Sequence, residues 1–566
     1  MLGAGASATS RSARFGLGAR GLTFGLETQE EPAEPLRFYD KLNNCDISCD
    51  VDREENTQPG LRSVRSCGEG KVYSSGTGRF TGFEDHKGKS ILAKYEDGSI
   101  AGLAVDAGAG KIALWTASIE YPLTEEPASS IPTSQDTTAS EKLRKELLQT
   151  SLLQLGLQSP PDEDNKLSIL RPLPQFLTST PSKRTIVSQI TNAIAAPQLG
   201  SQLSVLKDAN DEFLFHALQE GMGLMTTARE DAKSSSDPST WQPKHIIVCQ
   251  DGELPSRELT PLFDLALFYS TLAEARKRED LLSTEPWGTG EAVLYGEAVT
   301  STQTMLDKNP VLLSQLPTPL LSLASYQLAG RGRGSNVWLS PSGCLQFSIL
   351  QRVSLSGPAA FPPAKIVFVQ YLFALAVVEA CRDEAVLGPR VGERIRVKWP
   401  NDLYAQVSDD GEVRKVGGVL VNTSFSGGKV DIVIGCGLNV LNQPPITSLA
   451  QLHPGAKEKL SIEKTAAVIM AKFESMWNVF LRECSFEPLL DLYLKRWLHS
   501  DQVVTLTTTT PHIKVRITGI TLDYGLLRTI PERTGLGRGA SEGEFIDLQP
   551  DGNSFDLMAN LIKLKS

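Results

Sequence analysis

Tyr326-Gln327-Leu328-Ala329-Gly330-Arg331-Gly332-Arg333-Gly334-Ser335-Asn336-Val337-Trp338 separates two apolar runs, Leu320 to Ser325 and Cys344 to Val353, each suited to a buried strand. Gly330 to Ser335 therefore reads as a glycine-rich loop between core strands. Glycines at alternate positions remove Cβ atoms and let backbone N–H groups close on a ligand. Arg331 and Arg333 add planar donor forks suited to carboxylate or phosphate. Composition alone favours a mobile solvated loop, and an RGG-type nucleic-acid segment is a third reading. Such segments repeat in disordered sequence, whereas this one occurs once, between apolar strands.

The segments around it supply more polar groups near strand ends. Ala292 to Val299 is strand-like, and Thr300-Ser301-Thr302 follows with hydroxyls at the start of a short helix through Asp307. Such a helix start can meet a polar ligand or be a plain N-cap. Arg394 to Lys398 alternates as a strand and runs into Trp399-Pro400-Asn401-Asp402. Glu412 to Phe425, Gly427-Gly428 and Lys429 to Cys436 read as a β-hairpin. Lys415 lies on its first strand, before Gly417-Gly418, and the second leads into Gly437-Leu438-Asn439. By itself Lys415 reads as a solvated hairpin lysine. No histidine–serine or histidine–cysteine constellation competes with these segments. Fixed cations around one carboxylate suit a reaction between two anions, such as a carboxylate attacking a nucleotide phosphate.

At 566 residues and 40% hydrophobic composition, the chain is long enough for several domains with sizeable cores. A net charge of −10 argues against general nucleic-acid affinity. Six histidines without HExxH spacing and eight dispersed cysteines without a CxxC pair make a zinc site unlikely on spacing and suit a reducing compartment. Ile366 to Cys381 is apolar but interrupted by Gln370 and Glu379, so it is expected as a buried core helix, with no membrane partner. Arg11, Arg14 and Arg20 faintly resemble a mitochondrial presequence. Glycine and alanine make that stretch a poor amphipathic helix, and a cytoplasmic location is expected. Gly16 to Gly21 matches GxGxxG without a preceding strand, which excludes it as a dinucleotide site.

Leu36 to Leu123 alternates short strand signals with glycine turns. Residues 124–165 are rich in Pro, Ser, Thr and acid and read as a linker, with helix potential over Ser140 to Leu155. Residues 166–280 look mixed, with Asp231 to Pro243 a loop. Ser461 to Arg482 and Phe486 to His499 are amphipathic helices, and from Gln502 short alternating runs predict a small β-barrel.

Five ordered pieces carry a resemblance: GEAVTSTQTMLDKN (296–309), YQLAGRGRGSNVWLSPSGC (326–344), VKWPNDLY (397–404), KVGGVLVN (415–422) and IGCGLNV (434–440). In this order and spacing they resemble the biotin–protein ligases, or holocarboxylase synthetases, most closely the long fungal form. The resemblance implies an α+β fold. It expects a catalytic domain at 285–500 with a mixed sheet and flanking helices, like class II aminoacyl-tRNA synthetases, and an SH3-like barrel at 501–566. Residues 1–125 faintly resemble a truncated glutamine amidotransferase, separated by a linker at 126–165 from an extension of mixed α/β structure at 166–284. Cys67 lacks the setting of an amidotransferase nucleophile, so that region is expected to be non-catalytic.

The implied activity is biotin activation by ATP to biotinyl-5′-AMP, then transfer to a lysine of an acceptor domain. Carried over by position, Ser301, Thr302 and Gln327 would bind the biotin ring, and Gly330, Arg331, Gly332 and Arg333 would close over the adenylate. Arg333 and Lys415 would face the reacting carboxylate and phosphate, and Trp338, Asn401 and Asn439 the nucleotide. Asp402 would hold Mg²⁺. Gln303 stands where the family usually has asparagine, and Ser335 and Asn336 replace basic residues of some bacterial relatives. Expected partners are acceptor domains of acetyl-CoA and pyruvate carboxylase type, with the ligase itself a monomer. A lipoate or octanoate ligase on the related fold is the alternative. A DNA-binding repressor is disfavoured by the acidic charge and by the lack of a helix-turn-helix ahead of the catalytic region.

Overall fold

In a computed structural model, the described residues are 60–66, 69–74, 88–107, 110–119, 138–156, 171–194, 204–232, 241–281, 284–334, 336–358, 360–452, 460–507, 511–532 and 545–549, with short strands and single residues elsewhere. Ser335, Cys67, the basic residues Arg11, Arg14 and Arg20, and Gly18 to Gly21 lie outside them. The chain divides into two compact units, Met1–Leu167 and Ser168–Ser566.

The first unit contains a five-stranded antiparallel sheet in the order Gly110–Trp115, Ile100–Ala107, Lys89–Tyr95, Gly60–Arg65, Glu69–Ser74. The helix Thr138–Gln154 packs on it through Leu143 and Leu147, and Trp115 Nε1 donates to Ser151 Oγ at 3.1 Å. Part of the stretch expected as a linker at 126–165 is thus core. Leu143 and Leu147 sit four apart and share one helix face. The alternating strand signals of Leu36 to Leu123 are matched among the described residues by antiparallel β structure.

The second unit is built on one mixed sheet of eleven strands. In chain order these are β1 (Gln175–Ser179), β2 (Ser204–Lys207), β3 (Glu212–Ala217), β4 (Lys244–Val248), β5 (Ala292–Val299), β6 (Leu320–Gln327), β7 (Cys344–Ser354), β8 (Ile395–Lys398), β9 (Asp402–Gln406), β10 (Val413–Ser426) and β11 (Lys429–Asn439). Their spatial order is β2-β3-β4-β1-β5-β6-β7-β11-β10-β9-β8. Neighbours are parallel at β3/β4, β4/β1 and β5/β6 and antiparallel elsewhere. The boundary drawn at 284 therefore falls inside a continuous sheet: β1 pairs with β5 from Gln175–Gly296 to Ser179–Ala292.

Gly427 (φ 56°) and Gly428 (φ 72°) join β10 to β11, the left-handed pair that a two-residue hairpin turn demands. The helices named here are α1 (Gly221–Ala232), α2 (Leu265–Arg278), α3 (Thr302–Asp307), α4 (Val369–Cys381) and α5 (Ile462–Glu483). Asp264 caps α2 by accepting from Leu267 N–H at 2.9 Å. The segment Pro363–Cys381 is long and apolar enough to cross a membrane, but α4 is buried nearly all round. Phe373 on α4 meets Phe473 on α5 edge-on at 5.1 Å. At roughly 1.5–3 kcal/mol per fully buried large apolar side chain, these contacts are a main source of stability.

Charged groups are buried where α2, α5 and the entry to β5 meet. Arg276 pairs with Glu474, and both are almost fully buried. Glu474 also accepts from Thr289 N–H and Thr284 Oγ1, each at 2.7 Å, and Glu291 accepts from Gly288 N–H at 2.6 Å and Lys183 Nζ at 3.0 Å. Beyond α5 a six-stranded sheet contains Val503–Leu506, Ile513–Ile520, Leu527–Pro531, Ile546–Leu548, Asn553–Asp556 and Leu561–Leu564.

Candidate functional site

A cavity of about 640 Å³ lies against β6, β7, β10 and β11, beneath the 331–338 loop and beside the 398–402 corner. Thr302 enters it because α3 starts directly after β5. Ser301 caps that helix, accepting from Thr304 N–H at 3.3 Å. Gln327, at the end of β6, accepts from Thr302 N–H at 2.9 Å and lies 3.2 Å from its hydroxyl. Ser348 Oγ donates to Gln303 Oε1 at 3.0 Å and lies 3.0 Å from Thr302 Oγ1. Gln303 in turn donates to Val433 O at 3.2 Å. Thr302, Gln303 and Ser348 are buried, so this wall is a hydrogen-bonded network. The single proton of the Thr302 hydroxyl can turn toward either Gln327 or Ser348, which lets the wall adapt to a ligand's donors and acceptors.

The opposite wall is cationic. Arg331, Arg333, Lys398 and Lys415 line the cavity, against one carboxylate, Asp402, among its described lining residues. Arg331 is held aside by Asp307 at 2.8 Å. Arg333 Nη1 donates to Asn401 Oδ1 at 3.3 Å, and Asn401 Nδ2 donates to Val419 O at 2.7 Å. Lys415 Nζ lies 2.7 Å from Asp402 Oδ1. Their approach follows from a bulge: Leu403 faces Gly417 but Tyr404 faces Lys415, so Val416 is the extra residue that re-aims the strand. Lys415 is half exposed, so solvent screening limits this pair to about 1 kcal/mol, and an incoming anion can displace it.

The glycine-rich loop closes on itself. Gly332 N–H donates to Asn336 O at 2.8 Å, and Trp338 N–H donates to Gly330 O at 2.9 Å. A side chain at Gly330 would strike the Trp338 carbonyl, and one at Gly437 would strike the Trp338 indole. These glycines let Trp338 lie flat as a cavity wall. Cys436 also lines the cavity, but burial pushes its thiol far above the usual range, so it is no nucleophile.

The corner carrying Asn401 and Asp402 is fixed from outside. Trp399 N–H donates to His499 Nε2 at 3.1 Å, and the Trp399 indole N–H donates to Tyr371 Oη at 3.0 Å and lies 3.3 Å from Gly525 O. His499 Nδ1 faces Gln502 Oε1 at 3.0 Å. Burial lowers the His499 pKa to about 4, with the Lys398 charge adding to the effect and the Gln502 hydrogen bond opposing it. His499 is therefore neutral near pH 7 and free to accept from Trp399.

The sequence of residues 295–439 matches the Biotin/lipoate A/B protein ligase family. The biotin–protein ligase of Schizosaccharomyces pombe is 31% identical over 519 residues, covering 88% of this chain and 75% of the relative. The chain belongs to the biotin–protein ligase family. The human biotin–protein ligase is 35% identical over 282 residues, which cover 48% of this chain and 35% of the human protein. Among solved structures, the Aquifex aeolicus biotin protein ligase in complex with biotin and ATP is 20% identical, with a TM-score of 0.33, covering 45% of this chain and 94% of that one. The Leishmania major biotin protein ligase in complex with biotinyl-5-AMP is 19% identical, with a TM-score of 0.27, covering 45% of this chain and 98% of that one.

Of the ligase residues expected from sequence, Thr302, Gln327, Arg331, Gly332, Arg333, Trp338, Asn401, Asp402 and Lys415 share the one cavity. Ser301 does not line it, because its hydroxyl serves the helix cap. Gly330 lies behind Trp338, and Asn439 sits where β11 pairs with Cys344, outside the lining. Gln303, Ser348, Lys398 and Trp399 line the cavity and were not named as site residues. For Ser348 a signal existed: Gln346 and Ser348 alternate with the apolar Leu345, Phe347 and Ile349 and so share one face of β7.

Proposed function

We propose that the 640 Å³ cavity binds biotin and ATP together and that this chain is an ATP-dependent biotin–protein ligase. The observation that carries the residue assignments is the convergence of Arg333 and Lys415 with the Thr302–Gln327–Ser348 wall in one cavity. The buried polar wall suits a ring with both donors and acceptors, as in the biotin ureido group. The cationic wall suits a carboxylate beside a triphosphate.

In the first step a biotin carboxylate oxygen attacks the α-phosphorus and pyrophosphate leaves. Lys415 and Arg333 offset the repulsion between the two anions and the charge that develops between them. In the second, an acceptor lysine amine attacks the acyl carbon, AMP leaves and the amine loses a proton. The 331–338 loop would shield the mixed anhydride from water. Ser301 acts on the ring through the cap that places Thr302, and Trp338 with Asn401 borders the nucleotide. Asn439 contributes through the end of β11.

Mg²⁺ fits with one protein carboxylate, Asp402, and substrate phosphates completing its shell, in keeping with how Mg²⁺ is usually held. When bound it would supply charge neutralisation on the phosphates. We also infer a class II aminoacyl-tRNA synthetase-like catalytic sheet. An SH3-like closure of the last six strands is supported by their edge strands, Ile546–Leu548 and Asn553–Asp556, being consecutive in the chain. The acceptors are read as carboxylases of acetyl-CoA and pyruvate type, the location as cytoplasmic and the enzyme as a monomer.

The test is transfer of labelled biotin to a purified acceptor domain, with and without ATP, beside pyrophosphate exchange with biotin or lipoate. ATP-dependent labelling and biotin-dependent exchange are expected. Exchange with lipoate alone would replace the reading by a lipoate ligase.

A further inference from the structure

Asp307 is the last residue of α3, the short helix whose first residue, Thr302, lines the cavity. Its side chain is only 9% exposed, and its Oδ2 accepts twice, from Arg331 Nη1 at 2.8 Å and from Asn422 Nδ2 of β10 at 2.7 Å. Its Oδ1 is buried without a hydrogen-bond partner among the described residues. Carbonyl groups at the end of a helix carry partial negative charge, so a carboxylate there is locally unfavourable. A buried oxygen left unpaired adds to the penalty. Local rules are broken in this way chiefly where function requires it. The charged group that this carboxylate serves is the first arginine of the glycine-rich loop.

The chain entering that loop already rests on the turn between β5 and α3. Leu328 N–H donates to Val299 O at 3.0 Å, and Ala329 N–H donates to Thr300 O at 2.8 Å. Arg331 extends this seam by one side chain, onto a partner fixed by α3 and β10. Past Arg331 the loop bonds to itself: Gly332 N–H donates to Asn336 O at 2.8 Å, and Asn336 N–H donates to Arg333 O at 3.2 Å. The two arginines therefore have different tasks. Arg331, its charge matched by Asp307, is committed to the base of the loop, whereas Arg333 extends to Asn401.

We propose that Asp307 is a positioning residue for biotin activation: it pins Arg331 at the base of the glycine-rich loop, so that the loop closes from a fixed base and retains the adenylate. The role in retention, though not the anchor itself, rests on reading the cavity as the site of biotin and ATP. Asp307 does not line the cavity, so its effect reaches the substrates through Arg331. A loop anchored at its base loses less freedom when it orders over a ligand. The gain appears mainly as slower ligand release.

The test forms the adenylate on the full chain from labelled biotin and ATP and times its release into an excess of unlabelled biotin and ATP. Asp307→Asn is expected to speed release roughly 10- to 100-fold, as loss of a hydrogen bond between charged groups implies. Single-turnover adenylation at saturating substrates is expected to stay within about threefold of the parent, the split that marks lost binding and not lost chemistry. Arg331→Gln is expected to speed release by a similar factor, and the double variant no more than the faster single one, because all three remove the same contact. An unchanged release rate in Asp307→Asn, or factors that multiply in the double variant, overturns the proposal. Where Asp307→Asn does not fold, Arg331→Gln decides alone, and an unchanged release rate in it overturns the proposal. Trypsin cleavage after Arg333 in the ligand-free chain, followed by mass spectrometry, reads the anchor without substrate. Faster cleavage in Asp307→Asn or Arg331→Gln is expected, and a rate equal to the parent's refutes the anchor. Failure of the parent to form any adenylate would instead overturn the reading of the cavity, while the trypsin rates still judge the anchor.

Discussion

Arg333 Nη1 donates to Asn401 Oδ1 at 3.3 Å, so the glycine-rich loop touches the corner that also carries Asp402. The loop and the 398–402 corner are thereby joined. Arg333→Ala and Lys415→Ala are each expected to slow biotin adenylation by roughly 10²–10³, as for other fixed donors aimed at developing charge. Single-turnover adenylate formation checks this, with circular dichroism showing the fold retained. Near-parental rates in both variants would remove the assignment.

Gln327→Leu should act on the other substrate. It leaves Thr302 N–H without its acceptor and takes an amide from the polar wall. A loss of about 1–3 kcal/mol follows, or roughly 10- to 100-fold in biotin affinity, with the KM for ATP little changed. Calorimetry with biotin alone reads it directly, and an unchanged Kd would show that biotin does not use this wall.

His499 gives a pH signature. Its folded pKa is near 4, below the ordinary value of 6.5 that the unfolded chain restores. Between these values the unfolded state binds more protons, so the histidine's contribution is full above about pH 6.5 and falls away as the pH drops toward 4. The decline is on the order of 3 kcal/mol. Melting temperatures of the parent and His499→Gln should therefore converge as pH falls through this window. A constant gap from pH 7 to 4 would refute the assignment.

Glu474→Ala leaves the Arg276 guanidinium buried without its main partner and frees Thr289 N–H. A loss of about 3–5 kcal/mol is expected. Denaturant melts would show a lower midpoint, and a shift below about 1 kcal/mol would show that Glu291, whose Oε1 lies 3.8 Å from Arg276 Nε, suffices for Arg276.

Deleting residues 502–566 removes Gly525 O from the Trp399 indole and Gln502 from His499. Adenylation is expected to fall with biotin binding largely kept, because the released corner carries Asn401 and Asp402 and not the Thr302 wall. Unimpaired transfer by the truncated chain would disprove the coupling.

What was readable in the chain follows the range of the forces involved. The Gly427-Gly428 turn and the Ser301 cap are set by neighbours a few residues away, and both stand where the pattern placed them. The cavity residues were legible where several motifs ran together. Ser348 was signalled only by its alternation with Phe347 and Ile349, which does not say whether that face meets a cavity. The union of β1–β4 with the later strands was invisible for a different reason. Gln175 and Gly296 meet over more than a hundred residues, and no local pattern says which sheet edge receives a strand. The bulge at Val416 likewise depends on the partner strand.

The seam between β1 and β5 also bears on anyone seeking a minimal enzyme. A chain begun at 285 would leave β5 with a raw, aggregation-prone flank and strip Phe176 and Tyr269 from the interior. Lesions in 175–248 are expected to surface as lost biotinylation through the fold alone, since no residue of that span lines the cavity.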